Sequence, residues 1–133
     1  MSDENVATAR AIWDAVNRGA IDEAFRHVPE DFVLDWSASH APESGIYRGQ
    51  EDVKRAFEGT LEAWSEIEYF ETEIIDAGDH VVRVGGTRAR GKGSGAEVTA
   101  RGAHVWTFRE GTPVSVHLHQ SKEEALEAIG YSG

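Results

Sequence analysis

The chain has 133 residues, no cysteine and a formal charge of -11 at pH 7. That length allows one core without disulfide or metal staples, the missing thiols exclude cysteine nucleophiles, and the acidic balance opposes nucleic acid and anionic membrane as partners. No apolar run reaches membrane-spanning length, and the acidic start Met1-Ser2-Asp3-Glu4 is the reverse of a basic signal peptide, so residues 1–133 are expected to form a single soluble, cytoplasmic domain.

Asp3 and Glu4 favour the opening turn of a first helix, and Val6, Ala9, Ile12, Trp13 and Val16 give it an apolar stripe that ends at Gly19. Ala20 to Val28 continues at helical spacing through Ile21, Ala24, Phe25 and Val28 until Pro29 stops it. Asp31 to Trp36 alternates as a strand with Phe32, Leu34 and Trp36 on one face, and Ser37 to Gly49 reads as a loop punctuated by Pro42, Gly45 and Gly49. Helical spacing returns from Gln50 to Trp64. Ile67–Ile75, His80–Arg90, Glu97–Phe108 and Val114–His119 then read as strands separated by Gly-containing turns. Ser121 with Glu124 predicts a capping box for a short last helix carrying Ala125, Leu126 and Ile129. This order predicts an α+β fold with helices gathered on the concave face of a curled antiparallel sheet, a shape that encloses a pocket.

The strand Ala103-His104-Val105-Trp106-Thr107-Phe108 carries the most chemical information, because period-two alternation puts His104 on one face with Trp106 and Phe108. An imidazole aimed at an apolar interior is a candidate acid/base group, and equally a satisfied core histidine. Asp31 and Asp35 alternate away from that interior, although a bulge at Asp35 would pair it with His104 across a substrate. His117 and His119 have a spacing that suits a divalent metal given a third ligand, but with Val116 and Leu118 claiming the interior no metal site is expected. Gly91-Lys92-Gly93-Ser94-Gly95 joins two antiparallel strands and is read as a flexible turn rather than a phosphate loop. Arg83, Arg88, Arg90, Lys92 and Arg101 are expected to share one solvent-facing patch.

Four local sequences, Val16-Asn17-Arg18-Gly19-Ala20-Ile21-Asp22, Gly45-Ile46-Tyr47-Arg48-Gly49, His104 to Gly111 and Glu123-Glu124-Ala125-Leu126, occur in this element order from about Asp3 to Gly130. In this the chain resembles the SnoaL-like, polyketide cyclase-like members of the nuclear-transport-factor-2-like superfamily. The resemblance implies a cone-shaped antiparallel or mixed sheet packed on N-terminal helices, the cystatin-like α+β roll, with an apolar cavity and a homodimer formed through the outer sheet face. It does not imply one reaction, since members include cyclases, isomerases, dehydratases, epoxide hydrolases and non-catalytic subunits.

His104 falls where similar steroid isomerases place an acidic residue that donates to a developing oxyanion, a role open to a protonated imidazole. Trp36 occupies the general-base position, while Ile12 and Phe57 replace the pocket tyrosines, which argues against steroid isomerisation by that route. The expected lining is Trp36, Val53, Phe57, Trp64, Val82, Val84, His104, Trp106, Val116 and Leu118, with His40 or Tyr47 near the mouth. Such a lining suits a small hydrophobic, carbonyl-bearing molecule, bound without a cofactor and turned over by acid/base chemistry at His104. The alternative is a filled core in a non-catalytic binding or dimeric interaction module.

Overall fold

The computed structural model describes residues 2–39 and 43–131. In chain order these form α1 (Ser2–Asn17), α2 (Ile21–Ala24), β1 (Val33–Asp35), β2 (Ile46–Arg48), α3 (Gln50–Ala63), β3 (Trp64–Ala77), β4 (His80–Gly91), β5 (Glu97–Arg109), β6 (Thr112–His119) and α4 (Lys122–Ala128). The strands make one six-stranded sheet in the order β2-β1-β6-β5-β4-β3. It is mixed, because β1 pairs in parallel with β6 while every other pairing is antiparallel.

The apolar stripe of α1 buries Ala9, Ile12, Trp13 and Val16, and α3 buries Val53, Ala56 and Phe57 against the same sheet face. Trp13 is the hub of this core, with ring centroids 4.9 Å from Tyr69, 5.9 Å from Phe57 and 6.2 Å from Trp106. The second helix is shorter than its sequence pattern suggests. Phe25 leaves helical geometry at φ -110, ψ 17 and its ring stacks on Phe57 at 5.2 Å, so the apolar residues expected on a helix are buried from a turn instead. The segment read as a continuous loop contains β2, whose Tyr47 sits opposite Leu34. Three residues between Gly45 and Gly49 give too short an alternation to be seen in sequence.

The tight reversal at Glu110-Gly111 has positive φ at both positions, 51° and 80°, which is the geometry that a two-residue hairpin turn requires. Ser121 caps α4 by accepting the Glu124 N–H at 3.1 Å, and the Glu124 carboxylate accepts the Gln120 N–H at 3.2 Å. This helix does not join the others. Ala125 packs on Val82, Ala103 and Val105, so α4 covers the outer sheet face while α1 and α3 cover the inner one. The expectation that all helices share the concave face is corrected accordingly, because β4 and β5 each present a second apolar row that needs cover.

Asn17 closes α1 and grips the free edge of β3. Its amide donates to the Tyr69 carbonyl at 2.8 Å and its amide oxygen accepts the Tyr69 N–H at 2.8 Å. Asn17→Ala should therefore strip two partners from part-buried backbone and cost about 2 kcal/mol, read as a lower urea midpoint at unchanged m-value.

Candidate functional site

Cross-strand neighbours share a sheet face, so the registers fix what faces α1 and α3. Tyr69 lies opposite Thr87 and Thr87 opposite Ala100; Ile67, Ala89 and Val98 form the next row; Arg83, His104 and Leu118 form a third. Apart from Arg83, these rows line a cavity of 410 Å³. Gly86, Thr87, Ala89, Ala100 and Gly102 give it a floor of small residues, Trp36, Trp64, Ile67, Tyr69 and Leu118 are further apolar lining, and Ser39, Glu43, His119 and Gln120 add polar groups. Small residues on consecutive strands are what leave room above the sheet.

His104 is held on several sides. Trp36 Nε1 donates to its Nε2 at 3.3 Å, and the Trp13 ring lies 4.9 Å from the imidazole. Burial, then the charge of Arg83 on the neighbouring strand, then His119 and His117 push its pKa from 6.5 down to about 3. The ring is therefore neutral at physiological pH, and because the indole N–H engages Nε2, its proton resides on Nδ1. The expectation of a protonated imidazole at this position is corrected: desolvation beside a guanidinium disfavours a second positive charge.

Arg83 belongs to this site and not to a solvent-facing patch. It is 7% exposed, its guanidinium lies 4.8 Å over the Trp13 ring, and it donates to Glu71 at 3.3 Å and to the Tyr69 carbonyl at 3.2 Å. Glu71 also accepts from Arg10 at 2.7 Å, and that hydrogen bond with the charges of both arginines holds its carboxyl below the usual range. Arg88, Arg90 and Arg101, in contrast, lie on the outer side of β4 and β5. Tyr69 sits against Trp13, and burial followed by the nearby Glu43 carboxylate raises its phenol well above the ordinary value. It is an un-ionised hydroxyl.

Of the residues expected to line the pocket, Trp36, Trp64, His104 and Leu118 do so. Val53, Phe57, Trp106 and Val116 are fully buried in the core beneath α1 and α3, which makes that part of the interior filled. Val82 and Val84 face the opposite side, under α4, because the inner face of β4 is taken by Val81 and Arg83. Tyr47 lines a neighbouring groove with Asp52 and Arg55, and its hydroxyl donates to the Glu43 carbonyl at 2.6 Å. His40 lies outside the described residues.

Asp35 has no bulge and does not meet His104. It accepts from the Ser37 N–H at 2.9 Å and hydroxyl at 2.6 Å, and faces His117 at 3.5 Å. The rings of His117 and His119 lie 4.3 Å apart, and among the described residues no group of three or more His, Asp or Glu side chains is arranged to hold a metal. Sequence reading missed Ile67, Tyr69 and the floor residues. The phase of β4, propagated from His104 through the hairpin register, would have found them.

A family model described as a SnoaL-like domain matches residues 9–116. No protein of curated function matches the sequence. Among solved structures, an NTF2-like protein of unknown function from Burkholderia pseudomallei superposes with TM-score 0.76 at 22% identity, over 95% of this chain and 97% of that one. TerC, co-crystallised with polyporic acid, superposes with TM-score 0.75 at 18% identity, over 96% and 98% of the two chains. A Mycobacterium tuberculosis protein in complex with estradiol-17beta-hemisuccinate gives TM-score 0.73 at 13% identity, over 90% and 95%. At these identities the structures report on the fold, and the matched family model assigns the sequence: the chain belongs to the SnoaL-like domain family.

Proposed function

We propose that the protein binds a flat, hydrophobic small molecule with a hydrogen-bond-accepting oxygen in the cavity over β3, β4 and β5, and that it does so in the cytoplasm and without a cofactor. The carrying observation is the neutral imidazole of His104, fixed through Trp36, at an aromatic slot with a floor of glycine, alanine and threonine. The aromatic lining supplies stacking area, and the Nδ1–H of His104 and the hydroxyl of Tyr69 supply donors that fix orientation. Structural relatives solved with polyporic acid and with an estradiol ester support this ligand class.

The same geometry limits the chemistry. An imidazole whose pKa lies near 3 neither removes a proton from carbon nor serves as an imidazolium at neutral pH, so its catalytic contribution is polarisation of a bound carbonyl by a neutral donor. Binding without turnover is the second reading, favoured by Trp36 at the position where a general base would stand.

Ala100 is exposed on the cavity floor, so Ala100→Trp should fill the slot without disturbing the core. In a thermal-shift screen of aromatic polyketides, steroids, terpenoids and fatty acids, a binder should raise the melting temperature of the wild type and fail to do so in Ala100→Trp. His104→Phe should weaken the same binder by about tenfold, the value of one hydrogen bond. A ligand unaffected by Ala100→Trp would bind elsewhere and refute the assignment.

A further inference from the structure

The two ends of the cavity differ in charge. At the deep end His104 offers a neutral Nδ1–H and lies in the field of Arg83, whose charge reaches the imidazole from the neighbouring strand. Toward the exposed Val98 and Ala100, the one charged side chain facing the cavity among the described residues is a carboxylate. Glu43, between β1 and β2, lines both the cavity and the groove beside Tyr47, and its charge acts on the Tyr69 hydroxyl.

Glu43 is held in place but has no counter-charge. Its backbone carbonyl accepts the Tyr47 hydroxyl at 2.6 Å, and the Tyr47 ring stands edge-on to Trp36 at 6.1 Å, which ties this part of the loop to the cavity wall. The residue is half-buried, yet among the described residues no lysine, arginine or histidine pairs with it. Neighbouring cations are committed elsewhere. Arg55 pairs with Asp52 at 2.6 Å, Arg83 with Glu71 at 3.3 Å, and the Arg101 guanidinium lies on the opposite sheet face, 5.5 Å over Phe70. A half-buried carboxylate beside aromatic walls loses hydration that a cation replaces, and the faces of Trp36, Trp64 and Tyr69 attract positive charge.

Resting on the assignment of this cavity as a hydrophobic binding site, we propose that its ligand carries a protonated amine at the end opposite its oxygen, with Glu43 as the counter-ion. On β5, His104 is separated by about 13 Å along the strand from Ala100, which shares a row with Tyr69. A fused aromatic body with a short basic arm covers that span. An anionic arm would instead meet Glu43 as a like charge.

Three matched probes test this: acetylnaphthalene carrying an aminoethyl, a hydroxyethyl or a carboxymethyl arm on the ring opposite the acetyl group. Calorimetric titration of the wild type at neutral pH should rank the amine above the alcohol by about tenfold, with the acid weakest. Glu43→Gln should abolish the advantage of the amine, and Glu43→Lys should make the acid the tightest of the three. Both variants should keep the circular dichroism of the wild type, because Glu43 is anchored through its backbone carbonyl rather than its carboxylate. Equal affinity of amine and alcohol, or an advantage that survives in Glu43→Gln, would overturn the ammonium site; binding of the alcohol, blocked in Ala100→Trp, would then still support the cavity itself. If none of the three binds, the cavity assignment fails and the ammonium site falls with it.

Discussion

Lowering the pH from 6.5 to 4.5 is expected to remove roughly 2–3 kcal/mol of folding stability through His104 alone. In the folded state burial and Arg83 keep the imidazole neutral down to about pH 3, while in the unfolded chain it takes up a proton near 6.5. The unfolded state thus binds more protons throughout that window, and stability falls as the pH falls. From about a unit above 6.5 both states are neutral and the contribution is constant. The window above 4.5 separates this effect from Glu71 and Asp35, whose lowered pKa values remove stability only at more acid pH. His119 is also lowered and adds in the same direction, so the comparison must be differential. Urea unfolding at a series of pH values should give a steeper profile for the wild type than for His104→Phe. The variant would start lower, because Trp36 Nε1 loses its acceptor, and the gap would narrow on acidification. Parallel profiles would mean that His104 is solvated enough to titrate normally, which would also undo its role as a neutral donor.

What the sequence disclosed was governed by alternation and its phase. On β5, His104, Trp106 and Phe108 form an unbroken period-two row, and the structure puts all three on the inner face. On β4 the same logic misled, because Val82 and Val84 are the more apolar row and yet lie under α4, while the inner row holds an arginine that an isolated strand gives no reason to bury. Arg83 is partnered there by contacts 14 and 12 residues away in Tyr69 and Glu71, and by Trp13 on another element. Long-range partners of this kind leave no local signature. The Trp36–His104 hydrogen bond, spanning 68 residues, is invisible in the same way. β2 was hidden by its brevity, and the cavity floor by its lack of large side chains, since small residues mark space only once the register is known.

Two adjacent glycines in β4 set how closely three strands approach, and substitution there should have the largest effect on the scaffold of the site. A Cβ at Gly85 would lie 1.9 Å from the Phe70 carbonyl oxygen and 3.0 Å from Glu71 Cα, and one at Gly86 would lie 2.0 Å from the Ala100 carbonyl oxygen. These neighbours are backbone, so nothing flexible can yield. Gly85→Ala should push β3 away beside its register shift at Glu71/Glu73, and Gly86→Ala should push β5 away beneath the cavity floor. Each is expected to cost about 3 kcal/mol or more, since ladder bonds must lengthen to relieve a clash that deep. Gly59 on α3 provides the internal control. A Cβ there meets nothing within 4 Å, and the helical backbone suits alanine, so Gly59→Ala should stabilise by about 0.5–1 kcal/mol. Denaturant midpoints of the three variants would then diverge in sign. If Gly85→Ala matched the wild type, the strands would stand further apart than described, and the curl that shapes the cavity would need another cause. The pair also divides the two functions that a floor position serves, because Gly85→Ala should lower stability alone, whereas Gly86→Ala should lower stability and, by shifting Ala100, weaken any ligand seated above it.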